Sequence, residues 1–143
     1  MPGRKATVII CDDALFSLGG KTNISGMYSH DVIIPTRQQQ IAQLVFLFTI
    51  LTSKEEPLKA LTLKITFPGS EPVNFPGNLT GVPCRIPDDR KTIVYQQSVL
   101  VPLPILRPGK IIASVVHEAG EIEAGSLWVS TLEDEQRWTK AKR

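Results

Sequence analysis

Cys11, Asp12 and Asp13 set a thiol beside two carboxylates near the start of the chain. A nucleophilic thiol needs a depressed pKa, and neighbouring negative charge raises it. Adjacent strand residues point to opposite faces, so Asp12 and Asp13 share no site unless the strand ends there. A structural role is expected, with Asp13 opening a turn. The two histidines, His30 and His117, are the available general bases. His30-Asp31 has the form of an acid–base pair. His117 is in phase with Ile111, Ala113 and Val115, which places it inward, near a strand end. A satisfied core or rim histidine is the reading there. A hydrolase would need Cys11 or Cys84 brought to one of these imidazoles from a distant strand. No spacing in the sequence announces that.

Other chemistries find less. Gly19-Gly20-Lys21-Thr22 has a phosphate-loop flavour, but the motif's first glycine would fall at Leu15. The segment after Thr22 reads as a strand, where phosphate needs a helix N-terminus. Paired Cys-x-x-Cys and His-x-x-His spacings are absent, which argues against structural zinc. Asp12, Asp13, Asp31, Asp88 and Asp89 lack a calcium-loop spacing. No cofactor or metal is expected. The basic residues Arg4, Lys5, Lys21, Arg85, Arg90, Lys91 and Arg107 are scattered. Of the nine aromatics, several fall in the expected core strands. That is a poor platform for single-stranded nucleic acid. For a small ligand or a carbohydrate, the candidates are Tyr28, His30, Asp31, Asp88, Asp89 and Trp128.

Strands must position these residues. Thr7 to Asp12 and Lys21 to Tyr28 read as a hairpin around Gly19-Gly20. Val32 to Ile34 is a short β-branched piece stopped by Pro35, and Thr36 to Gln40 reads as a loop or one helical turn. Ala42 to Thr52 is apolar on both faces and therefore central or covered. Leu58 to Phe67 alternates, with Leu61, Leu63, Ile65 and Phe67 inward. Pro68 to Asp89 is rich in proline and is expected as loop or edge structure, the long crossover of the fold. Thr92 to Val101 is the next strand, then a hairpin of Lys110 to Glu118 and Glu121 to Thr131 around Ala119-Gly120. Gly125 inside its second strand suggests a bulge or a close backbone approach. Residues 133–143 form a charged tail with one or two helical turns.

The 143 residues make one domain, here 1–132. Val, Ile and Thr number 36, and Pro and Gly number 21. Both favour strands and turns. The fold class expected is all-β: an antiparallel two-sheet sandwich of seven or eight strands, Greek-key, Ig-like or C2-like, with little helix. A net charge of +2 excludes a strong basic excess, so no nucleic-acid partner is expected. Ile41 to Leu51, the longest apolar stretch, is shorter than the roughly 20 residues of a membrane helix. With no secretory signal read at the start, the expected location is the cytoplasm, with no membrane partner and both cysteines reduced.

Ile9 to Pro35 resembles a bacterial family of small, mostly β domains of unknown function. The shared features are Cys11-Asp12-Asp13, Gly20-Lys21, Ile24-Ser25-Gly26-Met27-Tyr28 and Asp31 to Pro35. The resemblance implies a compact β protein of bacterial kind and supplies no catalytic residues. In it Gly20 turns the chain, Gly26 admits a close neighbour and Pro35 ends a strand. Taken together, the sequence points to a non-enzymatic protein-interaction or assembly module, working with a protein partner or as a homodimer. The alternatives are a small-ligand or carbohydrate-binding sandwich and, behind it, a Cys/His hydrolase.

Overall fold

The computed structural model describes residues 3–17, 21–29, 31–79 and 91–141. Its elements in order are β1 (Lys5–Ser17), β2 (Lys21–Tyr28), β3 (Asp31–Ile34), β4 (Gln39–Gln40), β5 (Gln43–Ser53) and β6 (Leu61–Thr66). Then come β7 (Val73–Pro76), β8 (Thr92–Pro102), β9 (Ile105–Leu106), β10 (Gly109–His117), β11 (Gly120–Thr131) and α1 (Leu132–Ala141). A four-stranded sheet runs β2-β1-β5-β8, and a five-stranded sheet runs β3-β11-β10-β6-β7. The short strands β4 and β9 pair with each other. The mostly β expectation holds, and no sheet of the described residues closes into a barrel. No helix of the described residues is long and apolar enough to cross a membrane.

β5 shows why the sequence folds this way. Leu44, Phe46, Phe48 and Ile50 alternate along one face, and all four are wholly buried. They join Ile10 of β1 and Val99 of β8 in one apolar core with Leu63 and Ile65 of β6 and Val115 of β10. The two large sheets therefore share a single core. On β5's other face Val45 and Leu47 sit in register with Cys11 and Ile9 of β1. Pairing on both sides and apolar residues on both faces make β5 the central strand that its composition implies.

Several expectations are corrected. In place of a wholly antiparallel sandwich, β3 pairs with β11 in parallel, Val32 opposite Val129 and Ile34 opposite Thr131. Val32 and Ile34 face the core while Ile33 is exposed, so β-branched alternation serves either direction equally. Asp13 does not open a turn: β1 continues to Ser17, paired with β2 as far as Lys21. Gln39 and Gln40, expected in a loop or helical turn, form β4. The tail is a ten-residue helix, longer than the expected one or two turns. Thr131 caps it, its Oγ1 accepting the Asp134 N–H at 3.1 Å.

Gly125 meets both of its expectations. Ala113 pairs with Gly125 and Ser114 with Glu123, leaving Ala124 as the extra residue of a bulge. A Cβ on Gly125 would sit 2.8 Å from Val8 Cγ1, so the glycine lets β11 and β1 close on each other across the core. The described part of the Pro68 to Asp89 stretch holds β7, an edge strand ended by Pro76.

Candidate functional site

Three places gather the polar groups of interest. The first is on β1 and β2. Tyr28 Oη donates to Asp12 Oδ1 at 2.5 Å. Burial first, and then that hydrogen bond and the Asp12 charge, push the Tyr28 hydroxyl up to about 12. Gly26 makes the contact possible. Its φ is +66°, and a Cβ there would run into the Asp12 carboxyl. The close approach expected of Gly26 is thus the reach of Asp12 toward Tyr28. Asp13 turns elsewhere, accepting the Ala14 N–H at 2.9 Å. The two carboxylates do not converge.

Cys11, one residue earlier, is fully buried. Its Sγ donates to the Val45 carbonyl at 3.7 Å. Burial, then the Asp12 charge, raise its pKa, so the thiol form is favoured. The hydroxyl beside it gives a test. Replacing Asp12 by Asn removes the negative charge and keeps an acceptor. Spectrophotometric titration of phenolate should then show the Tyr28 transition move down, from about 12 toward 10. No movement would mean that Asp12 does not set it. The pH dependence has a definite sign. A raised tyrosine pKa favours the neutral folded form, so stability falls as pH rises from 10 through about 12.

The second place is the five-stranded sheet. Asp31 and Trp128 are register partners across β3 and β11. Trp128 is 54% exposed, with Lys110 Nζ 5.6 Å from its ring centroid, a cation–π distance. Farther along the sheet, a shallow depression of about 400 Å³ is lined by Lys64, Thr66, Ile112, Ser114, Glu121 and Glu123. Lys64 Nζ and Glu121 Oε1 close an ion pair across it at 2.9 Å. Of the sequence candidates, Asp31 and Trp128 come together, while Tyr28 lies on the other sheet. His30, Asp88 and Asp89 lie outside the described residues, as does Cys84. Among the described residues no three His, Cys, Asp or Glu side chains are placed to hold a metal ion.

The third place escapes sequence reasoning. Arg4, one of the scattered cations of the sequence, is buried to 4% side-chain exposure. Its Nη1 donates to His117 Nδ1 at 2.9 Å and its Nη2 to Glu118 Oε1 at 2.6 Å. Nη2 also donates to the carbonyls of Glu56 and Pro57, each at 3.3 Å. Glu118 Oε2 accepts the N–H groups of Lys59 and Ala60. His117 is buried as its strand phase implies, and its Nδ1 also accepts the Ala119 N–H at 3.1 Å. Burial and then Arg4 lower its pKa, so the ring is neutral with its proton on Nε2. The Arg4 hydrogen bond holds Glu118 down at about 2. Nothing in local spacing pairs residue 4 with residues 117 and 118. A contact from the start of the chain to a hairpin turn is visible only in three dimensions.

No family model, curated protein or solved structure matches the chain.

Proposed function

We propose that the protein is a non-enzymatic protein-interaction or assembly module that works as a homodimer in the cytoplasm. We further propose that its two large sheets make an Ig-like or C2-like sandwich, a reading supported by the single core they share. The observation that carries the functional reading is the face of the four-stranded sheet turned away from that core. One row across it reads Met27, Cys11, Val45 and Leu100, apolar from edge to edge. The outer two are exposed, Met27 58% and Leu100 51%, while Cys11 and Val45 between them are buried. Leu15 and Val94 extend the same face and are exposed as well. Large exposed apolar side chains gathered on one sheet face are what a contact surface supplies and what water disfavours.

Sedimentation equilibrium at tens of micromolar tests this. The wild type is expected at twice the mass of the 15.8 kDa chain. A variant carrying Met27→Asp and Leu100→Asp is expected at the single mass with its circular dichroism unchanged. A wild type that sediments as one chain removes the homodimer. A second reading, a carbohydrate-binding face, is favoured by one observation: the exposed indole of Trp128 beside Asp31 and Lys110. Titration of soluble oligosaccharides against indole fluorescence checks it, and a flat response for Trp128→Ala and wild type alike would end it.

A further inference from the structure

We propose that His117 is an acid-sensitive latch, holding the start of β1 and the β5–β6 connection to the β10–β11 turn only while its ring is neutral. The geometry carries this. His117 Nδ1 accepts two hydrogen bonds, from Arg4 Nη1 and from the Ala119 N–H. A ring nitrogen has one lone pair, and a proton placed on it removes both bonds at once. The same proton puts a second cation against a guanidinium only 2.9 Å away. Arg4 is buried and cannot shed its charge. The relief is therefore mechanical: the guanidinium must move off the ring.

The movement has defined reach. Through Nη2, Arg4 grips the carbonyls of Glu56 and Pro57, so its displacement also frees the connection between β5 and β6. The buried Arg4 Nε has no hydrogen-bond partner among the described residues, so the guanidinium's seat is imperfect before any proton arrives. The groups that bear on the ring pull in two directions. Arg4 opposes its charge, and Glu118 favours it. Neither register neighbour, Leu61 of β6 or Gly120 of β11, is ionisable. Burial adds to the side of neutrality, so the latch stays shut at pH 7 and opens below the range of an exposed imidazole.

The test is amide hydrogen exchange of the full chain at pH 7.5 and pH 5, corrected for intrinsic rates. Protection at Ala119, Lys59 and Ala60 is expected to fall at least tenfold on acidification, while Phe46 and Val115 hold theirs. His117→Asn places an oxygen acceptor near the position of Nδ1 and cannot be protonated, so its protection at these amides should not change with pH. Should that variant fail to fold, nitrogen chemical shifts of the wild-type ring read the same event. His117 must then begin as the Nε2-protonated tautomer and lose it together with the Ala119 protection. Equal acid sensitivity of wild type and His117→Asn overturns the latch. So does a His117 that titrates with no change at Ala119.

Discussion

Phe46→Ala is expected to destabilise the fold by roughly 3–5 kcal/mol. The residue lies on the central strand, between Ile10 of β1 and Val99 of β8 in the register. It is wholly buried. Its ring meets that of Phe67 edge to face, centroids 6.2 Å apart and planes at 89°. Truncation removes the transfer energy of the ring and leaves a cavity that β5, held by pairing on both sides, cannot collapse to fill. The aromatic pair adds about 0.5–1.5 kcal/mol beyond area. Urea unfolding is the measurement: a lower midpoint at unchanged slope fits a stability loss alone. Phe46→Leu should lose well under half as much. A loss below about 1 kcal/mol for the alanine variant would mean that this side of the core is not closely packed.

Arg4→Ala is the second large effect, a loss of about 3 kcal/mol at neutral pH. Four acceptors lose the Arg4 donor together: His117 Nδ1, which keeps the Ala119 N–H, Glu118 Oε1 and the carbonyls of Glu56 and Pro57. Arg4→Lys should recover little, because an ammonium cannot present the planar fork that reaches a ring nitrogen and a carboxylate at once. The difference between wild type and variant depends on pH. Glu118 has a depressed pKa in the fold, so its contribution is full above the ordinary 4.5 and is lost as pH falls toward about 2. His117 is also depressed, so its neutral-ring contribution is full above 6.5 and declines as pH falls below that. Thermal unfolding of wild type and Arg4→Ala at pH 7 and pH 3 should show the gap narrow in acid. A gap that widens in acid would reverse the assignment.

The strands are largely legible in the sequence because alternation is written into each one. Leu61, Leu63 and Ile65 face inward in β6, as their spacing of two requires. Their partner strand is not legible, since a period of two is shared by every strand of either direction. That is why β3 can be seen as a strand and not as a parallel one. Gly26 and Gly125 can be marked as close approaches, but what they approach, Asp12 and Val8, belongs to the register. The same limit applies to the polar groups. Tyr28 and Trp128 are both candidates by residue type, and only topology separates them onto different sheets. Arg4 carries no local signal, since its partners at His117 and Glu118 lie more than a hundred residues away in sequence.

The parallel pairing of β3 has a consequence for how the chain comes off the ribosome. Asp31 to Ile34 emerge early, yet the strand they pair with among the described residues, Trp128 to Thr131, is made nearly a hundred residues later. β1, β2 and β5 can assemble a three-stranded sheet as soon as residue 53 is clear. β3 must then wait, its Val32 and Ile34 bare, until β11 exists. A contact of that separation closes slowly, and a waiting apolar strand is a target for stray pairing and for chaperones. The nascent chain thus exposes a vulnerable segment early and makes the means to shelter it only much later.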